Sequence, residues 1–129
     1  MFNWRRPTNL GVKDGRLAPC RSTPNCVCSQ ADPADREHYI APITFRGRMD
    51  ELRRAVESMR RSTVIAAERN YLYAEYRTAL MRYVDDVELY YDERAGLVHV
   101  RSASRLGRRD FGVNRKRVEE LRALIGASR

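Results

Sequence analysis

The sequence predicts an α+β fold, a curved antiparallel sheet of four or five strands with two helices on one face, in the order (β)-α-β-β-β-β-α. Three observations predict it. A helical apolar spacing begins just after Gly47, four alternating or β-branched runs follow at hairpin separations, and a second helical spacing closes the chain. Such a sheet has one apolar face to bury, and two amphipathic helices laid on that face bury it.

Residues 1–42 hold all five prolines and all three cysteines and show no sustained period. They read as an N-terminal arm packed on an α+β core of residues 43–129, the two forming one domain. At the end of the arm, His38–Phe45 predicts a short edge strand, because Pro42 lacks the N–H that an inner strand must donate. Met49, Leu52, Val56 and Met59 predict a helix over Arg48–Arg60, with Arg53, Arg54, Glu57 and Arg60 outward.

Strands are predicted at Thr63–Glu68, Tyr71–Thr78, Val84–Tyr91 and Leu97–Ser102. Alternation places Leu72, Ala74 and Tyr76 on one face, and likewise Val87, Leu89 and Tyr91, then Val98 and Val100. Asn70, residues 79–83 and Asp92–Gly96 are turns of hairpin length, and Gly107 and Gly112 mark turns with positive φ. The last helix takes Asn114 as its cap and turns Val118, Leu121, Leu124 and Ile125 inward.

At 129 residues, 43% hydrophobic and 33% charged, the chain reads as a soluble folded domain. No run reaches the roughly 20 apolar residues of a membrane span, and the opening Met1–Pro7 holds no secretory h-region. The expected location is therefore the cytoplasm. Basic residues outnumber acidic ones 25 to 17, and all but Lys13 and Lys116 are arginine. A G+C-rich genome produces that bias, and so does a need for guanidinium forks on carboxylate or phosphate.

Position is more informative than composition. Residues 101–117 hold seven basic residues and one acid, net +6, which leaves only +2 for the rest of the chain. Val84–Glu93 carries Asp85, Asp86, Glu88, Asp92 and Glu93 and no base. One reading makes Arg101, Ser102, Ser104, Arg105, Asn114 and Arg115 an anion-binding surface, its arginines oriented from behind by Asp85, Asp86 and Asp110. The other is an ion-pair network. In it Asp85 and Asp86 lie across a hairpin from Arg101 and Ser102, and Asp110 lies near Arg105 or Arg115. The partner implied is a small anionic ligand or a protein. Tyr71, Tyr73, Tyr76, Tyr90 and Tyr91 offer stacking surfaces for a weak nucleic-acid binder, but charge confined to one segment disfavours it.

Catalytic patterns are missing. Asp85 and Asp86 are adjacent in a strand and so point to opposite faces, His99 sits in a strand, and no phosphate loop, G-x-S-x-G or H-E-x-x-H occurs. The cysteines, C-x5-C-x-C, do not have a zinc spacing, and no metal or cofactor is expected. A Cys20–Cys26 disulfide would pin the arm or serve as a redox pair, whereas in a reducing compartment the same thiols are small buried hydrophobes. The expected function is a non-enzymatic binding module, with a thiol redox module using Cys20 and Cys26 as the alternative. Oligomeric state is not readable from these features.

Three stretches together carry a family resemblance: Ala18-Pro19-Cys20 with Pro24-Asn25-Cys26-Val27; Tyr83-Val84-Asp85-Asp86-Val87-Glu88 with Tyr91-Asp92; and Arg101-Ser102-Ala103-Ser104-Arg105 with Asp110-Phe111-Gly112-Val113-Asn114-Arg115 and Arg117-Val118-Glu119. In this order they resemble the uncharacterised family called domain of unknown function 1499. The resemblance implies one domain shared among bacteria and plastid-bearing eukaryotes, and no established activity, substrate or cofactor. Many relatives place a membrane or export segment ahead of the cysteines, and none is visible here. The family pattern Cys-Pro-x-Ser-Pro-Asn-Cys-Val-Ser-Ser is broken at Arg21 and Cys28, which places Cys28 outside any shared chemistry.

Overall fold

The structure, a computed structural model, describes residues 5–80, 83–107 and 109–127. Met81 and Arg82 of the predicted turn and Arg108 of the basic segment lie outside the described residues. The elements run β1 Cys26–Cys28, β2 Ile43–Thr44, α1 Met49–Glu57, β3 Ser62–Ala67, β4 Tyr71–Arg77, β5 Val84–Asp92, β6 Leu97–Ser104 and α2 Val113–Ala127. All six strands form one open antiparallel sheet in the order β1-β6-β5-β4-β3, with β2 also on β6.

The α+β class is as predicted, but the sheet has six strands rather than four or five. The addition is β1, which shares the outer edge of β6 with β2. Ile43–Thr44 pairs with Leu97–Val98, and Cys26–Cys28 pairs with Arg101–Ala103. Three residues carry no readable alternation, so pairing with β6, not local pattern, makes Cys26–Cys28 a strand.

Alternation assigns the two faces as expected. Leu72, Ala74, Tyr76, Val87, Leu89, Tyr91, Val98 and Val100 join Leu52 and Val56 of α1 and Val118, Leu121 and Ile125 of α2 in one buried core. Phe45 closes its edge, with its ring 5.2 Å from Tyr91 and edge-on to it. Fully burying side chains of this size stabilises the fold by about 1.5–3 kcal/mol each.

Helix α1 ends at Glu57, three residues short of the expected Arg60. Serine hydroxyls take the carbonyls that a further turn would have used: Ser58 Oγ donates to Ala55 O at 2.7 Å, and Ser62 Oγ to Val56 O at 2.8 Å. Arg61, in the left-handed region at φ 58°, then turns the chain into β3. At the β5–β6 turn Gly96 has φ 66°, and the Arg46 guanidinium lies where a Cβ would stand, 2.7 Å from its ideal position.

The opposite face of the sheet is polar, and the N-terminal segment crosses it. Arg6 Nε donates to Glu75, Gly11 N to Glu88, and Arg101 Nη2 reaches Pro19 O at 3.3 Å. Acidic and tyrosyl side chains are thereby enclosed between backbone and sheet. Glu75, Asp86, Glu88 and Tyr73 are all buried.

Candidate functional site

The register fixes which charged residues meet. Glu75, Asp86, Ala103 and Cys26 form one cross-strand row on the face under the N-terminal segment, and Tyr73, Glu88, Arg101 and Cys28 form the next. Asp86 therefore faces Ala103, and Asp85 faces Ser104, two residues beyond the expected pairing with Arg101 and Ser102. The β5–β6 turn sets this offset, since hairpin register follows from loop geometry.

Arg105 is consumed by this row. Its Nε and Nη2 reach the two oxygens of Asp86 at 2.9 and 2.8 Å, and Nη2 also donates to Glu75 Oε2 at 2.6 Å. Tyr73 donates its hydroxyl to both carboxylates. The Asp86 hydrogen bond, outweighing the cost of burial, raises the pKa of Arg105 further above its ordinary value. Burial and the Asp86 bond likewise raise the pKa of the Tyr73 phenol. For Glu75 burial acts upward, but hydrogen bonds from Arg6, Arg105 and Tyr73 outweigh it and hold its pKa low.

Arg101 is placed differently. Its side chain is only 7% exposed, its nearest carboxylate oxygen is Glu88 Oε1 at 4.0 Å, and its Nε has no hydrogen-bond partner. The other Glu88 oxygen is held by Gly11 N at 2.8 Å and Tyr71 Oη at 2.6 Å. Arg101 and Arg105 line a cleft of about 240 Å³ with Arg5, Arg21, Asn25 and Ser104. Arg5 and Arg21 are exposed, and neither has a carboxylate partner among the described residues.

Ser102 and Asn114 lie elsewhere, on the helix-bearing side. Ser102 Oγ donates to Asn114 Oδ1 at 2.6 Å, and Asn114 Nδ2 donates to Ser104 Oγ, Asn25 O and Asp110 Oδ2. Asn114 is completely buried inside α2, so it is not the cap expected from the sequence. Asp110 fills that role, accepting from Gly112 N at 3.0 Å and Asn114 N at 3.1 Å. For the same reason Asp110 does not pair with Arg105 or Arg115. Asp85 points to this side and pairs with Arg117 Nη2 at 2.8 Å. Burial raises the Asp85 pKa against the pull of Arg117. Among the described residues the Arg115 side chain reaches the backbone carbonyls of Arg36 and Glu37.

Of the six residues singled out, Arg101 and Arg105 thus share one cleft, Ser104 lines that cleft but is bonded into the internal network of Ser102 and Asn114, and Arg115 belongs to neither. Glu75, Glu88, Arg117 and Asn25 were not among the candidate site residues, although Glu88, Arg117 and Asn25 stand in the family motifs. A signal existed for Glu75 and Glu88, acids in the interior of strand runs beside tyrosines. Asn25 stands in the Pro24-Asn25-Cys26-Val27 family motif, and its Nδ2 closes the loop after β6 by donating to Leu106 O and Gly107 O.

The cysteines divide two to one. Cys20 and Cys26 form a disulfide that ties the segment before β1 to the sheet, and Cys28 is a buried free thiol whose pKa burial pushes up. His99 Nδ1 lies 3.0 Å from Ser29 Oγ, and burial lowers its pKa. Among the described residues no cluster of histidine, cysteine or carboxylate could hold a metal ion, and no helix is long and apolar enough to cross a membrane.

A family model described as "Protein of unknown function (DUF1499)" matches residues 16–125. No curated protein and no solved structure matches the chain.

Proposed function

The chain belongs to the DUF1499 family of proteins of unknown function, and we propose that it is a binding module whose ligand is a small oxyanion held in the cleft between the N-terminal segment and β6. One observation carries this reading: Arg101 is buried at the cleft with an unpartnered Nε and no carboxylate closer than 4.0 Å. A buried guanidinium left so short of partners costs free energy unless a ligand completes its hydrogen bonds. Arg5 and Arg21 add charge at the rim, and Asn25 and Ser104, held in place by their own hydrogen bonds, complete the lining. Arg105, already paired with Asp86 and Glu75, serves as a rigid wall. A cleft of about 240 Å³ suits a phosphate- or carboxylate-sized group rather than a polymer.

The disulfide supports an oxidising compartment in preference to the cytoplasm expected from the sequence, since such bonds persist where thiols are not kept reduced. It also favours a fixed cleft, because Cys26 lines that cleft.

Thermal-shift and calorimetric titrations with inorganic phosphate, sulfate and citrate, against chloride at matched ionic strength, test the proposal. The expected result is a saturable rise in Tm with at least one oxyanion. Arg101→Gln abolishes it and Arg21→Gln weakens it, by about tenfold or more for the buried residue. No shift with any of the three, or a shift that survives both substitutions, overturns the proposal.

A further inference from the structure

A second surface lies at the end of the sheet where three connections meet: the turn after α1, the turn between β4 and β5, and the loop from β6 to α2. Leu80 there is 91% exposed and Phe111 is 90% exposed. Each adjoins the same groove of about 350 Å³ through its chain neighbours: Thr78 and Ala79, the two residues before Leu80, and Val113, two residues after Phe111, all line it.

Phe111 is held outward at a cost. Its ring gains nothing from the core, and its backbone occupies the left-handed region at φ 53°, unfavourable for a bulky side chain. The turn that holds it is firmly built. The Asp110 carboxylate accepts from the backbone of Gly112 and Asn114, and Asn114 is locked to Asn25 and Ser104. Neither packing nor backbone preference rewards this placement within the molecule.

The same end carries a surplus of free cations. Arg60, Arg61, Arg77 and Lys116 line the groove and are all exposed, and none makes an ion pair among the described residues. The exposed arginines within α1, by contrast, are matched: Arg53 with Glu57 and Arg54 with Asp50. The nearby acids are engaged as well, Asp85 by Arg117 and Asp110 by the turn, so among the groove's lining residues Glu120 is the one acid not so used.

Protruding hydrocarbon set among unpaired cations fits an anionic lipid surface. We infer that this end of the molecule docks peripherally on anionic membranes. Leu80 and Phe111 enter the boundary between headgroups and acyl chains, while the arginines and Lys116 lie against lipid phosphates. Nucleic acid fits less well, because it would use the cations and stack on the phenyl ring but would leave the aliphatic Leu80 in water. This surface is separate from the oxyanion cleft, and its test uses a different readout.

Flotation of the full chain with phosphatidylcholine vesicles, with and without about 30 mol% phosphatidylglycerol, decides the matter. Binding is expected only with the anionic lipid, and it should weaken as salt rises from about 0.1 M to about 0.5 M. Leu80→Ser with Phe111→Ser should lower it about fivefold or more, and so should Arg60→Gln with Arg61→Gln and Arg77→Gln, about fivefold per charge at most. Unchanged unfolding curves for these surface variants would show that they fold. No binding, equal binding to neutral vesicles, or binding indifferent to Leu80→Ser with Phe111→Ser overturns the inference. So does oligonucleotide binding that replaces vesicle binding, or a dimer that these two substitutions dissolve.

Discussion

Arg105 grips Asp86 with both prongs of its guanidinium, Nε to Oδ2 at 2.9 Å and Nη2 to Oδ1 at 2.8 Å, beneath the N-terminal segment and with only 8% of its own side chain exposed. The pairing divides the basic segment into arginines that hold the fold together and an arginine left with hydrogen-bonding capacity. It also spends most of the charge of the 75–86 carboxylate row internally.

Arg105→Met should therefore be severely destabilising. Asp86 and Glu75 would lose a shared partner inside the protein, and breaking a buried ion pair from one side costs about 3–5 kcal/mol. Urea denaturation measures it. A loss below about 1 kcal/mol would show that water reaches the pair in the folded state.

Asn114→Ala removes a completely buried amide that serves Ser102, Ser104, Asn25 and Asp110. Leaving those groups without their partner should cost about 2–3 kcal/mol. Hydrogen exchange should quicken at the start of α2 and at Ser104 N, which bonds to Asn25 O. Asn114→Ala with wild-type stability would contradict the network's role.

Reducing the Cys20–Cys26 bond, or substituting Cys20→Ser, should lower stability by about 2 kcal/mol, the loop-entropy expectation for so short a ring. Cys28 behaves oppositely. Buried, and with its thiol pKa raised, it should resist alkylation until the protein unfolds. Urea denaturation reads the first and peptide mapping after iodoacetamide treatment the second, and labelling of Cys28 at equal rates in native and unfolded protein would refute the burial argument.

His38 should make stability fall as pH rises. Burial, the largest influence, opposes its charge. Asp35 at 2.8 Å, the Thr23 carbonyl at 2.9 Å and the charge of Glu37 together outweigh burial and raise its pKa above 6.5. A raised folded-state pKa means that the stabilisation is complete below the unfolded value and is lost as pH climbs through the higher folded one. Denaturation midpoints should thus decline from about pH 6 toward about pH 8, with His38→Gln flattening that slope. An identical slope in the variant would assign the dependence to other groups.

Much of this architecture was legible in the chain. The alternation of Leu72, Ala74 and Tyr76, the helical spacing of Leu52 and Val56, and the turn at Asp92–Gly96 each involve residues a few positions apart, and periodicity reports such local relations directly. The concentration of charge in residues 101–117 was equally plain. Asp110 rather than Asn114 as the cap was harder to see, because both residue types cap helices and the two candidates stand only four positions apart.

By itself, then, the sequence determined the order of the elements from β2 onward, the inward faces of strands and helices, and the place where positive charge gathers. Tertiary structure alone decided the partners. It set the β5–β6 register that gives Asp86 to Arg105 and Asp85 to Arg117, turned Cys26–Cys28 into a strand, and drew the N-terminal segment over Glu75 and Glu88. Those contacts join residues tens of positions apart, where no local repeat carries information. A shift of two residues in register preserves every inward and outward assignment yet exchanges every charged partner.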